Sequence, residues 1–189
     1  MPARLALAAL ALAAVLAAAT ARADRIEVRS AQLTATEEGY ALDADFEFEL
    51  NQRLDDALAK GVPFFFLVEF EAERPRWYWW NERVVLRTMQ VRLAYHALTR
   101  QYRVSRGTLA QSFGSLDEAL RAVSRVRDWL VLERGQVRAD ETYLIALRMR
   151  LDLSQMPKPF QVSAITNRDW TLASDWTRWR FTPPERAPR

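Results

Sequence analysis

The chain has 189 residues, with 27 basic and 24 acidic side chains and no cysteine. The lack of cysteine excludes disulfide bonds and thiolate metal sites. The nearly balanced charge, without a basic cluster, argues against a nucleic-acid partner, because nucleic-acid binding needs a concentrated positive surface.

The first 23 residues have the pattern of a secretory signal peptide. Arg4 gives a basic start, residues 5–19 are an unbroken apolar stretch, and Ala21-Arg22-Ala23 is a small-x-small cleavage site. The apolar stretch is shorter than the ~20 residues that span a bilayer. We therefore expect cleavage after residue 23, a periplasmic mature chain and no stable membrane insertion.

The mature chain is predicted to form a single β-rich domain, residues 24–181, followed by a proline-rich tail, residues 182–189. Residues 25–34 predict a first strand, and Gly39 supplies a turn. Apolar and acidic residues then alternate from Tyr40 to Leu50, which predicts a strand with one face buried. Asn51 is placed to cap a helix over residues 52–60, which ends at Gly61.

Residues 62–80 are the most apolar part of the mature chain. Residues 64–68 are apolar on both faces and residues 69–73 alternate, which predicts a central strand that is partly covered. Residues 83–97 predict one long strand or two strands separated by a bend, and residues 101–105 and 109–113 predict two short ones.

Ser115 with Glu118 forms a capping-box signature and predicts a helix over residues 116–129. A strand over residues 141–153, one helical turn over residues 160–166 and a closing strand over residues 172–181 follow. The total is seven or eight strands and two helices, without a βαβ rhythm. This pattern predicts a mainly β fold, an antiparallel β-sandwich that is immunoglobulin-like in general architecture and decorated with two helices. The alternative is an α+β antiparallel sheet with both helices on one face.

The sequence contains no motif for catalysis, a metal or a cofactor, and none is expected. The single histidine, His96, lies at a predicted strand end and lacks the partners that a triad or zinc site requires. Two sets of alternating carboxylates could in principle serve a hydrolase. However, they occupy the polar positions of half-buried strands, where water is the expected neighbour: Asp43, Asp45, Glu47 and Glu49, and Glu69, Glu71 and Glu73.

Aromatic residues interleaved with arginines are the most informative signal. Exposed Trp, Tyr and Arg are common anchors of protein interfaces, although Trp residues can also close the ends of a core. The predicted interaction surface consists of Arg74, Arg76, Trp77, Tyr78, Trp79, Trp80, Trp170, Trp176, Arg178 and Trp179.

Several longer sequence motifs resemble those of a known family. They are Arg74-Pro-Arg-Trp-Tyr-Trp79, Leu98-Thr-Arg-Gln-Tyr-Arg-Val104, Ser124-Arg-Val-Arg-Asp-Trp129 and Pro157-Lys-Pro-Phe-Gln-Val162, with Trp170, Trp176 and Trp179. The chain resembles a family of proteobacterial exported proteins that form a domain of unknown function and are sometimes labelled proline-rich signal peptide proteins. The resemblance implies that the gene lies beside a gene for a sensor histidine kinase of the nitrogen-regulation type. It points to no cofactor and no catalytic residue.

These observations predict a non-enzymatic periplasmic interaction domain with a protein partner in the cell envelope, such as a membrane sensor kinase. An envelope glycan-binding module that uses the same aromatic residues is the first alternative. A hydrolase that uses the strand carboxylates is the second.

Overall fold

The computed structural model describes residues 25–76, 78 and 80–184, without the side chains of residues 163–166 and 168. The predicted signal peptide, Trp77, Trp79 and residues 185–189 of the predicted tail lie outside the described residues. Nine strands are present in the described part: β1 (Glu27–Ala35), β2 (Gly39–Glu47), β3 (Phe64–Arg74), β4 (Glu82–His96), β5 (Gln101–Arg106), β6 (Leu109–Phe113), β7 (Arg125–Glu133), β8 (Tyr143–Leu151) and β9 (Thr177–Phe181). The helices are α1 (Gln52–Ala59), α2 (Leu116–Val123) and α3 (Lys158–Thr166).

The strands form two antiparallel sheets. The small sheet has the order β1-β2-β7, and the large sheet has the order β6-β5-β4-β3-β8-β9. The prediction of a mainly β fold with two antiparallel sheets is confirmed. The two sheets have three and six strands, whereas the two sheets of an immunoglobulin constant domain have four and three strands.

One hydrophobic core lies between the two sheets. Ring contacts link them: the centroids of Phe48 and Phe66 are 5.3 Å apart, and those of Tyr40 and Phe181 are 5.0 Å apart. Strand β3 is the centre of this core, because five of its alternating side chains are completely buried: Phe64, Phe66, Val68, Phe70 and Ala72.

The opposite face of β3 is less enclosed. Phe65 and Leu67 point to the outer face of the large sheet and are half-buried. Residues 64–68 are therefore apolar on both faces, as the sequence shows, but only one of the two faces lies in the core.

Helix α1 closes one end of the core. The side chain of Asn51 accepts a hydrogen bond from the Leu54 amide at 3.1 Å, as predicted for an N-cap. Leu54 and Leu58 are completely buried, and Gly61 follows with a φ of +86°. This positive φ favours glycine, which explains why the helix ends here.

Helix α2 packs against β5 and β6 of the large sheet. Ser115 accepts a hydrogen bond from the Glu118 amide at 3.3 Å, and Ala119 and Val123 are completely buried. The predicted cap is confirmed, but the predicted end of the helix at residue 129 is wrong.

The chain after α2 forms β7, the second neighbour of β2. Val126 lies opposite Ala44 and Trp129 lies opposite Leu42, and Asp128, at a positive φ of +50°, lies in the register shift between these two pairs. Val126 also fits the apolar face of a continued helix, so the sequence pattern alone is ambiguous. Pairing with β2 decides the outcome, because the β-branched and aromatic residues of 125–133 suit a pleated strand.

The C-terminal part also differs from the prediction. Helix α3 has nine residues rather than one turn, so the described part contains three helices and not two. Strand β9 is limited to Thr177–Phe181, and Ala173 forms only a single bridge with Arg150. No helix in the described part of the chain is long and apolar enough to cross a bilayer.

Candidate interaction surfaces

The loop between β3 and β4, residues 75–81, presents aromatic side chains to solvent. Trp80 is 87% exposed and Tyr78 is 63% exposed, and Arg76 is also exposed. A large exposed apolar side chain is an informative feature of a surface, because most such residues are at least partly buried. This loop therefore agrees with one half of the predicted surface; Trp77 and Trp79 are not among its described residues.

Ion pairs fasten the base of this loop. Glu82 Oε2 lies 2.5 Å from Arg76 Nη2 and 3.5 Å from Arg74 Nη1. Arg74 Nε lies 2.9 Å from Glu141 Oε2, and the hydroxyl of Tyr143 donates a hydrogen bond to the same oxygen at 2.8 Å. Arg74 and Arg76 therefore hold the loop to the start of β4 and to the segment before β8.

The pKa of Glu141 reflects this arrangement. The hydrogen bond from Tyr143 lowers the pKa of the Glu141 carboxyl below its ordinary value, and the charges of Arg74 and Arg138 lower it further. The carboxylate is thus ionised at neutral pH, which maintains its pairing with Arg74.

Trp170 does not belong to this surface. It is 8% exposed and packs edge to face against Phe160, with the ring centroids 5.4 Å apart. The neighbouring Asp169 contacts α1, since its carbonyl oxygen accepts a hydrogen bond from Asn51 at 2.7 Å. This is the end of the sandwich where β3 begins, and the 11 residues of β3 separate it from the β3–β4 loop by roughly 33 Å at the ~3.3 Å rise of a strand residue. The expectation that Trp170 is exposed beside residues 74–80 does not hold.

The remaining aromatic residues of the C-terminal stretch are half-buried. Trp179 lies opposite Ile145 and packs against the core. Trp176 lies under the guanidinium of Arg148, whose Cζ is 4.4 Å from the ring centroid. Arg178 is exposed on β9.

Three residues of the predicted carboxylate sets pair with arginines: Asp45, Glu47 and Glu69. Glu69 lies between Arg148 and Arg150, and only 14% of its side chain is exposed. Burial alone would raise the pKa of Glu69, but the hydrogen bonds from Arg150 and Arg148 and their charges outweigh this effect and lower it. In the other set, a hydrogen bond from Arg127 is the main cause of the lowered pKa of Asp45. Both groups are therefore ionised at neutral pH, which does not favour a general acid.

His96 is exposed at the end of β4, opposite Gln101. The described residues contain no group of three or more His, Cys, Asp or Glu side chains that could hold a metal ion.

A groove of about 930 Å³ lies where β4 meets β5, and the sequence analysis missed it. Arg92 and Arg103 reach it from the outer face of the large sheet, where Arg92 lies opposite Phe65 and Ser105. Arg106 reaches it from the end of β5. The lining residues among the described part of the chain include no carboxylate: Phe65, Thr88, Met89, Gln90, Arg92, Ala94, His96, Arg103, Ser105, Arg106, Gly107, Thr108, Ala110 and Trp129.

Arg106 has a distinct structural role. Its Nη2 donates hydrogen bonds to the carbonyl oxygens of Ala122, near the end of α2, and Arg125, at the start of β7. Burial lowers the pKa of its guanidinium, and the nearby charge of Arg127 adds to this effect.

The signal that could have identified the groove is strand parity, because Arg92 and Arg103 occupy outward positions of two strands joined by a short turn.

Comparison with known proteins identifies the family. The model of the family described as Domain of unknown function (DUF4390) matches residues 23–180, so the chain belongs to this family. No curated protein and no solved structure matched the chain.

Proposed function

We propose that this member of the DUF4390 family is a non-enzymatic interaction domain of the cell envelope, and that the β3–β4 loop is its contact with a partner protein. The observation that carries the proposal is the exposure of Trp80, 87% of whose surface is open to solvent. Burial of an indole against a partner removes a large apolar area from water, and Trp and Tyr are prominent among the residues that dominate binding energy.

The fastened base of the loop supports this role. Arg74 and Arg76 pair with Glu82, and Arg74 also pairs with Glu141, so the two strands that carry the loop are held together. A loop whose ends are held in place before binding loses less conformational entropy when the complex forms. The surface thus combines exposed aromatic groups with a pre-ordered scaffold.

The partner that we propose is the extracytoplasmic part of a membrane sensor kinase. Two sequence observations support this choice: the predicted signal peptide, which would place the mature chain in the periplasm, and the family resemblance, which implies a sensor kinase gene as neighbour. The domain would act as an accessory protein that contacts the kinase outside the cytoplasm.

A binding measurement between the mature chain and the extracytoplasmic part of the kinase tests the proposal. Trp80→Ala should weaken binding by about tenfold or more, as expected for an anchor residue worth at least ~1.4 kcal/mol. Leu98→Ala is the matched control, because Leu98 is also fully exposed but lies in the turn after β4, at the opposite end of that strand. Equal affinity of the Trp80→Ala variant and the parent chain would refute the role of the loop.

An envelope glycan is the second candidate ligand, and the same exposed indole favours it, because an open aromatic face can stack on a sugar ring. Pull-down with envelope glycan, at low and at high salt, separates the two candidates. Stacking on a sugar should persist at high salt, whereas a contact that depends on Arg76 or Arg178 should weaken.

A hydrolase receives no support from the carboxylates of the described residues. The pKa values of Glu69 and Asp45 are lowered by arginine contacts, as described above, and a general acid needs a raised one.

A further inference from the structure

Strand β4 is longer than its neighbour β5, and this difference leaves a free sheet edge. The pairing of β4 with β5 begins at Val91, which lies opposite Arg106, and extends only to the end of β4. Gly107, with a φ of +53°, then turns the chain away into β6. Within the described part of the chain, residues 82–90 of β4 pair with β3 on one side and with no strand on the other.

This edge is only partly protected: Arg87 pairs with Glu133 of β7 at 2.7 Å, and the register with β3 shifts between Val85 and Arg83. The outermost strands of the large sheet, β6 and β9, have five residues each. The edge strands of the small sheet, β1 and β7, contain register shifts in their pairing with β2. In contrast, β4 is in continuous register with β3 from Val85 to Leu93, and Leu86 on this edge is 51% exposed. A regular run of unpaired N–H and C=O groups is a template for a further strand.

The charge of the adjoining groove indicates which strand would bind. Thr88, Met89 and Gln90 of the free edge line the same groove as the three arginines described above. Among the described residues, no carboxylate lies within ion-pair distance of Arg92 or Arg103. Positive charge without a counter-ion favours a ligand that carries negative charge.

The groove also offers apolar contacts. Trp129 and Met89 line its inner side, and Phe65 lies under the guanidinium of Arg92, whose Cζ is 5.9 Å from the ring centroid. Alternating apolar and charged contacts match an extended peptide, because its side chains point alternately to the two faces of a sheet.

We propose that an acidic segment of a partner protein binds here in an extended conformation, as an added strand on residues 85–90 of β4. Its backbone pairs with the free edge, and its carboxylates lie on the outer face, where they pair with Arg92 and Arg103. The site does not require Trp80, so it goes beyond the contact proposed for the β3–β4 loop.

Peptide binding to the full chain without its predicted signal peptide tests this proposal. The probe is a capped, fluorescently labelled peptide of about nine residues that alternates valine and glutamate, and anisotropy reports its affinity. Matched peptides carry glutamine in place of glutamate, or N-methyl groups on either the odd or the even amides. All N–H groups of one parity point to the same side of a strand, so one of the two methylated peptides should lose binding and the other should keep it.

Protein variants test the charge contacts. Arg92→Gln with Arg103→Gln should weaken binding of the glutamate peptide by about tenfold, since each exposed ion pair contributes up to ~1 kcal/mol. Arg178→Gln with Arg180→Gln is the matched control, because it makes the same charge change on β9, at the far edge of the same sheet. The control should change the affinity less than about twofold at physiological salt.

Three results would overturn the proposal. The glutamine peptide could bind as well as the glutamate peptide, which would remove the charge contact. Both methylated peptides could bind as well as the parent peptide, which would leave only a site for small anions. The chain alone could form dimers that block the peptide and are abolished by the arginine substitutions, which would assign the edge to a second copy.

Loss of kinase binding in Trp80→Ala with unchanged peptide binding separates this site from the loop.

Discussion

The guanidinium of Arg148 lies 4.4 Å from the ring centroid of Trp176, and its Nε is hydrogen-bonded to Glu69. Glu69 and Arg148 are directly opposite in the pairing of β3 with β8, and Arg150 reaches the same carboxylate at 3.1 Å. The cluster covers the outer face of the large sheet at its centre. An acidic residue whose position in the sequence predicts contact with water is thus enclosed by two arginines and shielded by an indole.

Glu69→Gln should lower the free energy of unfolding by about 1–2 kcal/mol. The substitution keeps the shape of the side chain but leaves two partly buried guanidinium groups without their carboxylate, and hydrogen bonds to charged groups contribute ~1.5–3 kcal/mol. Urea unfolding at pH 7 measures the change. Glu71→Gln is the matched control, since Glu71 lies on the same face of β3 and has no ion pair among the described residues; it should change the stability by less than ~0.5 kcal/mol.

The stability difference between the parent chain and Glu69→Gln should depend on pH. The pKa of Glu69 is lower in the folded state than the ordinary value of 4.5. Its stabilising contribution is therefore complete above pH 4.5 and is lost as the pH falls through the folded-state pKa. Unfolding curves at decreasing pH should show the two chains converging. A difference that stays constant or grows in acid would contradict the pairing of Glu69 with Arg148 and Arg150.

Gly39→Ala should destabilise the fold by about 1–3 kcal/mol, as overpacking does. A Cβ at Gly39 would overlap the carbonyl oxygen of Leu132 and lie 2.9 Å from the Cα of Glu133, both of which are backbone atoms of β7. Gly114→Ala is the control, because a Cβ there would meet no atom within 4 Å. Thermal unfolding compares the two variants, and similar melting temperatures would contradict the close approach of β2 and β7.

Trp170→Ala and Trp80→Ala should have opposite effects on stability and binding. Trp170 is buried against Phe160, so its removal should cost about 3–5 kcal/mol. Trp80 is exposed, so its removal should change the stability by less than ~0.5 kcal/mol. Chemical denaturation of both variants checks this expectation. A stability loss in Trp80→Ala as large as that in Trp170→Ala would show that the β3–β4 loop is part of the core.

Local patterns predicted most of the strands. The alternation from Tyr40 onwards produced a strand with a buried face, and Asn51 and Ser115 cap helices as their side chains indicate. These features depend on residues that are close together in the sequence, so local patterns are sufficient to predict them. The predicted helix is wrong over residues 125–129 because Val126 fits either a helix or a strand, and only its pairing with Ala44 decides between them.

Some features of the candidate surfaces can likewise be predicted from the sequence, and others depend on the tertiary structure. Tyr78 and Trp80 are exposed in the β3–β4 loop, where the sequence has four consecutive aromatic residues. The burial of Trp170 depends on Phe160 and α1, which are distant or ambiguous in the sequence. The groove was not predicted because its lining combines residues of β3, β4, β5, β6 and β7, which the tertiary structure brings together.

The sequence by itself determined most of the strands, the helix caps and the turns of this protein, because periodicity and side-chain chemistry act over a few residues. Only the tertiary structure decided which aromatic side chains are exposed, which carboxylates are paired and where β4 has a free edge. Each of these depends on the register and length of strands that are far apart in the chain, and pairing between distant strands is a property of the whole sheet.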